Sequence, residues 1–493
     1  MSTAPSSESV DPPGAPAAPD AASMKARVIS STKASLVGRV LSQGIRLAAN
    51  LVLARLLTPA DFGLMALVMV VLQGLEMLSD VGTRLAIINH PRGEERVFLD
   101  TAFTIECVRG VALWVVGLIA AYPVSLGYGE PRLLSMIPVA TLVTVISGFG
   151  STKIHLLNRR IELRRVVMID LGSQLVGSLA MVAAAFAWRN VWALLVNALV
   201  VAATRFVLGH FWLPGPRNRF AFDRAIAREI LGAGRWVAAS TLTSFLSQRL
   251  DILILGTLVS LNDLGLYNQA NVLANLPMLI TGQAIGTVLM PAIAESNRRG
   301  PEALRAAFAR ALDTVLPTVG VICVGVILVA PPFFTILYDP RYHASGPIAQ
   351  LMMSMVWFGF CQEITSRTLL AIGEARSLTA SNIVKLSVTA LACWGGFTWL
   401  GLPGFIFGAA VGVFSGFAVM AWRLEAGALP VLRQTVTASA VGIAASAAII
   451  LAPAPLAESL GVEFLYVQLA LALLVGPPAL AWVVARLRRE VRR

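Results

Sequence analysis

Four polar side chains, Arg39, Gln43, Arg46 and Asn50, recur at i, i+4, i+7 and i+11 in an otherwise apolar run. A 3.6-residue period gathers them on one stripe of a helix. In a second apolar run Ser240, Ser244, Ser247 or Gln248, and Asp251 keep the same period, with Arg249 beside them. A stripe of that kind cannot face lipid and must face protein or water. Guanidinium is always charged and forks onto two oxygens at once, so a cavity lined by Arg46 and Arg249 suits an anion such as phosphate better than a cation. Two other readings stay open beside it: a buried ion pair of Arg249 with Asp251 or another acid, and an Arg39 that snorkels to the inner surface.

Further ionisable residues lie in the apolar runs: Glu76, Asp80, Arg84, Glu106, Arg109, Asp170 and Arg205, then Asp313, Glu363, Arg367 and Lys385. Asp80 with Arg84, Glu363 with Arg367 and Glu106 with Arg109 are spaced to form helix-stabilising ion pairs.

The elements that must hold these stripes are membrane helices. Of 493 residues 57% are hydrophobic and only 13% charged, with a mean hydropathy of +0.75, against about 25% charged in a soluble domain. At about 20 apolar residues per crossing, about fourteen spans are expected, at 35–57, 62–88, 101–123, 133–156, 166–188, 191–213, 232–259, 265–293, 311–337, 347–372, 378–400, 402–422, 435–452 and 464–487. The net charge of +12 does not indicate nucleic acid, because the basic residues lie in short segments between apolar runs. Lys25, Arg27, Arg92, Arg96, the run Arg159 to Arg165, Arg217 to Arg228, Arg298 to Arg310, Arg376, Arg423, Arg433 and Arg486 to Arg493 fall on one side. The opposite loops hold only Arg55, Arg132, Arg189 and Arg341, which makes the populated side cytoplasmic and places both termini there.

Residues 1–30, rich in Ala, Pro and Ser, read as a disordered cytosolic tail and not as a signal peptide. Asp61-Phe62-Gly63-Leu64 after the first span returns as Asp263-Leu264-Gly265-Leu266 after the seventh. That repeat predicts two parallel, pseudo-symmetric six-helix lobes, 31–213 and 232–423, with two additional helices and a basic tail in 424–493. Between the lobes, 214–231 carries Phe222, Ile226 and Ile230 at helical spacing, either an amphipathic helix on the inner leaflet or a basic loop that only sets topology. Pro277, Gly282, Pro317, Pro331 and Pro332 interrupt the second lobe as static kinks or as a moving gate.

Cys107, Cys323, Cys361 and Cys393 all lie in apolar runs without metal-ligand spacing, so buried thiols without disulfides are expected, and the four scattered histidines give zinc little support. There is no Walker A pattern and no large external loop for a transferase site. Transport driven by an external energy source remains; no cofactor and no enzymatic activity are expected.

With the repeat and stripes in hand, the chain resembles the polysaccharide transport family of the multidrug/oligosaccharidyl-lipid/polysaccharide exporter superfamily. The matching words are Leu53-Ala54-Arg55-Leu56-Leu57-Thr58-Pro59-Ala60-Asp61-Phe62-Gly63, Asp80-Val81-Gly82, Arg249-Leu250-Asp251, Leu264-Gly265-Leu266-Tyr267 and Met290-Pro291. They are spread over residues 35–422, and the last two spans match by hydropathy only. The resemblance implies an all-α flippase of the bacterial inner membrane. It would turn undecaprenyl-pyrophosphate-linked oligosaccharide units from the cytoplasmic to the periplasmic leaflet by alternating access, for O-antigen or exopolysaccharide synthesis. Membrane lipids, and the polymerase and glycosyltransferases of the pathway, would be its neighbours. On that reading Arg46, Arg249 and Arg39 hold the pyrophosphate and Gln43, Asn50 and Gln248 meet the sugars. Asp251 either couples a proton or sodium ion or only neutralises Arg249. A cation-coupled multidrug exporter of the same fold, and a membrane polymerase or ligase of the same pathway, are the alternatives.

Overall fold

The computed structural model describes residues 21–79, 82–160, 162–278, 289–427, 429 and 431–451. Among these the chain is helical throughout, with no strand. The first half contains α1 (Ala21–Leu56), α2 (Pro59–Leu78), α3 (Thr83–Asn89), α4 (Arg96–Tyr128), α5 (Leu133–Gly148), α6 (Lys153–Arg159), α7 (Leu163–Trp188) and α8 (Trp192–Phe211). The second half contains α9 (Arg224–Leu258), α10 (Leu261–Ala274), α11 (Met290–Arg299), α12 (Pro301–Leu337), α13 (Ser345–Ala371), α14 (Ala375–Ala426) and α15 (Leu432–Leu451).

Six helices are long and apolar enough to cross a bilayer: Pro59–Met77, Arg96–Tyr128, Leu163–Trp188, Trp192–Phe211, Pro301–Leu337 and Arg376–Ala426. The bent pair α5 and α6, at 62°, makes a seventh. Helices α1 and α9 fall outside that count for a physical reason, since the polar stripes that mark them also lower their hydropathy. The lipid-facing side is legible on α4, where Val108, Val111, Val115, Ile119 and Tyr122 are exposed along one face. A contiguous apolar surface of that kind is what a membrane solvates.

Where the chain turns, local chemistry explains it. Thr58 and Asp61 form a reciprocal capping box at the start of α2, with Pro59 in the first turn where its missing N–H has no partner to lose. The start of α10 repeats the device: Ser260 Oγ accepts from Asp263 N at 3.2 Å. The two repeated words are thus two equivalent helix starts, and they pack on each other. A Cβ on Gly63 would overlap the Leu261 carbonyl, and one on Gly265 would overlap the Pro59 carbonyl. Only glycine allows the two backbones to approach so closely.

Several boundaries differ from the sequence reading. Helix α1 starts at Ala21, ten residues inside the stretch expected as disordered tail. The second span ends early at Leu78, and Gly82, with φ 68°, turns the chain into the separate helix α3. The interlobe segment is non-helical to Asp223, whose side chain caps α9 through Ala225 N and Ile226 N. From Arg224 it continues without a break into the seventh span. Its apolar residues Ile226, Ala227 and Ile230 are buried against Ile87, Phe98, Leu99, Ala102 and Ile105. Part of the amphipathic pattern is thus covered by the first half of the protein, while Phe222 stays exposed. Pro317, Pro331 and Pro332 all lie inside α12, whereas the sharp break comes at Gly401, with φ 62° and ψ −141°. That reversal folds α14 into two antiparallel arms, with Gly408 against Ala392 and Gly412 against Thr389.

All four cysteines are free and buried. Asp80, Gly282, residues 1–20, the fourteenth span and the C-terminal tail lie outside the described residues, as does the side chain of Ser240.

Candidate functional site: a cavity between the repeated helices

Helices α2 and α9 pack together, as do α2 and α10, so the two halves meet along the elements that carry the repeat. Beside that seam lies a cavity of about 360 Å³, to which Arg46 and Asn50 of α1 and Arg249 of α9 contribute, together with Gln73, Asn197 and Asn268. No acidic side chain lines it among the described residues. Arg46, which is exposed, and the partly buried Arg249 therefore bring two permanent positive charges to the wall of one open cavity, and no hydrogen bond or ion pair engages Arg249 among the described residues. Two positive charges on a wall without an acid favour a ligand that supplies the opposite sign.

Gln43 does not line the cavity. Its Oε1 accepts from Arg46 Nη2 at 2.7 Å and from Nε at 3.2 Å, which fixes the direction of the guanidinium. Asn50 lines the cavity and also accepts from Tyr338 Oη at 3.1 Å, a link from the first half to the second. Tyr342 donates to the Leu57 carbonyl at 2.9 Å and meets Phe62 edge-on. With the Gly63 and Gly265 contact, these bonds close the end of the seam beside the helix starts. Arg39, nearer the start of α1, is exposed and is not part of the cavity wall.

Gln248 and Asp251 face elsewhere. They line a second cavity of about 190 Å³ with Ser247, Asn275, Lys385 and Thr389. Two residues along a helix is about 200° around it, so Arg249 and Asp251 project from opposite faces of α9. Of the two roles left open for Asp251, neutralising Arg249 would act only at a distance here, since no hydrogen bond or ion pair joins the two among the described residues. Asp251 Oδ2 instead accepts from Tyr267 Oη at 2.7 Å.

Several of the other intramembrane charges pair with one another among the described residues. Arg109 reaches Glu106 at 2.7 Å, and its remaining donors go to Ser79 Oγ and the Glu76 carbonyl. Arg205 meets Asp170 at 3.4 Å and Arg367 meets Glu363 at 2.7 Å. Asp313 accepts from Gln434. Glu76, Arg84, Glu106, Arg109 and Arg205 share a third cavity, of about 400 Å³, within the first half. Sequence reasoning missed Gln73, Gln174, Asn197 and Asn268 in the central wall. The signal was present for Gln73 and Asn197, each a lone amide inside an apolar run, where a polar side chain is expensive unless it faces protein or water.

Residues 52–347, more than half of the chain, match the family model described as "Polysaccharide biosynthesis protein". The chain belongs to this family. Its resemblance to polysaccharide transporters, drawn from short words, therefore holds over a segment that contains Arg249, while Arg46 lies six residues before it. Among relatives of this chain, the lipopolysaccharide biosynthesis protein WzxC of Escherichia coli (strain K12) is 25% identical over 67% of the chain and 67% of its own length. The succinoglycan biosynthesis transport protein ExoT of Rhizobium meliloti (strain 1021) is 23% identical over 64% of each. The teichuronic acid biosynthesis protein TuaB of Bacillus subtilis (strain 168) is 20% identical over 61% of the chain and 62% of the relative. The matches thus span about two thirds of the length of these curated relatives. In fold, the chain is similar to the lipid II flippase MurJ in an inward closed conformation, with a TM-score of 0.67 at 12% identity, over 94% of the chain and 100% of that structure. It is also similar to an inward-facing multidrug resistance MATE family transporter, with a TM-score of 0.57 at 17% identity, over 80% and 95%.

Proposed function

We propose that this protein is a flippase of the bacterial inner membrane, carrying undecaprenyl-pyrophosphate-linked oligosaccharide units from the cytoplasmic to the periplasmic leaflet for surface polysaccharide synthesis. The observation that carries the proposal is the meeting of Arg46 and Arg249, on equivalent helices of the two repeats, in a cavity without acidic residues among those described. Two forks of fixed positive charge fit the oxygens of a pyrophosphate. Asn50, Gln73, Asn197 and Asn268 add amide donors and acceptors for sugar hydroxyls. Gln43 acts on the ligand through Arg46, which it orients, while Arg39 meets the headgroup at the cytoplasmic approach. The relatives named for lipopolysaccharide, succinoglycan and teichuronic acid synthesis support the same substrate class.

In this reading the two lobes, 31–213 and 232–423, rock about the cavity, with both termini in the cytosol and 424–493 appended to the second lobe. The closed end beside Gly63 and Gly265 lies on the side poor in Lys and Arg, hence the periplasmic side. The conformation therefore corresponds to a carrier shut toward the periplasm. Asp251, facing the second cavity, is the candidate for coupling to a proton. Drug exporters share the fold, so the fold does not choose between the substrates; the two arginines favour an anionic one.

The test is a deletion strain complemented with Arg46→Ala and with Arg249→Ala at normal protein level. Lost polymer export, with the lipid-linked intermediate accumulating on the cytoplasmic side, is expected. Intact export in both variants would overturn the cavity assignment. A changed drug susceptibility with normal polysaccharide would favour the multidrug reading, and new glycosidic bonds made by the purified protein would favour the polymerase or ligase reading.

A further inference from the structure

Ser247 and Asp251 stand at i and i+4 on α9, and Lys385 and Thr389 stand at i and i+4 on the first arm of α14. Helices α9 and α14 pack together, so the two pairs face one cavity of about 190 Å³. Three of the oxygens around it, Ser247 Oγ, Asp251 Oδ1 and Thr389 Oγ1, are buried without a hydrogen-bond partner. Buried polar atoms are rarely left so, and three orphans on one small cavity call for a common donor. An ammonium group has three N–H donors and no acceptor. Lys385 is the cationic side chain in the same wall. Its stem is held by the second arm of α14, where Gly416 lies against the Lys385 Cβ as Gly412 lies against Thr389. The four-carbon stem reaches across the cavity by rotation about its own bonds. In the present conformation no hydrogen bond or ion pair joins Lys385 to Asp251 among the described residues, and the other oxygen of Asp251 is held by Tyr267.

We propose that Lys385 is the resident cation of this cavity: its ammonium engages Asp251 Oδ1, Ser247 Oγ and Thr389 Oγ1 when α9 and α14 draw together, so the protein takes no sodium or potassium ion from solution there. The lysine supplies from the chain the positive charge that this cluster of oxygens would otherwise draw from a hydrated monovalent ion. Engaged, it ties the arginine-bearing helix α9 to α14 of the same half; disengaged, it releases it. Only the place of this tie in a transport cycle rests on the flippase reading.

The experiment is thermal unfolding of the purified full-length protein in NaCl, KCl or choline chloride at one ionic strength, with no glycan present, so that it stands or falls apart from the flippase reading. The wild-type protein and Lys385→Arg are expected to melt at the same temperature in all three salts. Lys385→Ala is expected to melt lower in choline and to recover by a few degrees in sodium, potassium or methylammonium, and Lys385→Ala with Asp251→Asn is expected to lose the recovery. A sodium-specific rise in the wild-type midpoint would overturn the proposal, and this arm needs no variant to fold. A folded Lys385→Ala protein indifferent to every cation would overturn it as well.

Discussion

Gly63 and Gly265 face each other at the starts of α2 and α10, each approaching the first-turn carbonyl of the opposite helix, Leu261 for the one and Pro59 for the other. The contact is reciprocal because the two residues occupy the same place in the two copies of the repeat. A methyl group at either position would strike backbone, which cannot swing aside as a side chain can.

Gly63→Ala and Gly265→Ala are each expected to destabilise the closed form by about 1–3 kcal/mol, the usual cost of overpacking. Gly44→Ala, where an added Cβ meets nothing within 4 Å, is the control and is expected to be silent. Labelling of an Arg46→Cys reporter by a membrane-impermeant thiol reagent from the periplasmic side would measure the change. It should rise in the first two variants and not in the third.

Binding of a pyrophosphate-bearing polyprenyl lipid to purified protein should fall about 10- to 100-fold in Arg249→Ala, the loss expected for charged hydrogen bonds worth about 1.5–3 kcal/mol. Arg249→Lys should retain part of it, keeping the charge and losing the fork. Gln43→Ala should weaken binding less than Arg46→Ala, since it removes the orienting acceptor and leaves the guanidinium in place. Equal affinity in all four variants would remove the headgroup from this cavity.

Tyr338→Phe deletes the hydroxyl that joins the cavity residue Asn50 to the other half. A loss of about 0.5–1.5 kcal/mol from the closed state is expected. Tyr342→Phe should cost at least as much, because that residue is fully buried and its partner is a backbone carbonyl. Unchanged periplasmic labelling of the same reporter in both variants would count against a latch.

At the protein surface the Glu94 carboxyl is held below its ordinary range, first by the hydrogen bond from Arg160 at 2.8 Å. A lowered carboxylate stabilises the fold above its unfolded pKa and loses that contribution as pH falls through the folded value. The Arg160→Ala variant should therefore be less stable than wild type near neutrality and converge with it below about pH 4. The pair is half exposed, so the difference near neutrality should be small. Chemical unfolding of both proteins across that range would read the sign, and a gap that widens in acid would contradict it.

Much of this was legible in the chain. The all-helical membrane class was legible from hydropathy, though only six helices, or seven with the bent pair, pass by length and apolarity among the described residues, and the Asp61 and Asp263 words mark equivalent helix starts because a capped first turn has a distinctive local chemistry. Arg46 and Arg249 could be picked out because a fixed charge in an apolar run demands a reason. The division of Gln248, Arg249 and Asp251 between two cavities was less accessible. Three neighbours in sequence look like one site, and only the helical angle together with the packing of α2 on one side and α14 on the other separates them. The linker was ambiguous for a related reason, since an apolar stripe on a basic segment has the same pattern whether a bilayer or Phe98 and Leu99 cover it. The break at Gly401 shows the limit of breaker residues as signals. Three prolines pass within α12, and one glycine reverses α14.

Helix α9 carries Glu229, bonded to Arg92 at one surface, and then Arg249 and Asp251, and it ends at the turn beside the Gly63 contact. Its 35 residues make a stiff rod about 52 Å long. Pivoted at its Glu229 anchor, such a rod needs a tilt of only about 10° to carry its far tip about 9 Å, several times the clearance of two glycines in contact. Mechanical advantage is thus built into one unbroken lever, which would be lost if the surface segment and the span were two helices joined by a flexible joint. Two or three glycines inserted near Gly232 would supply such a joint.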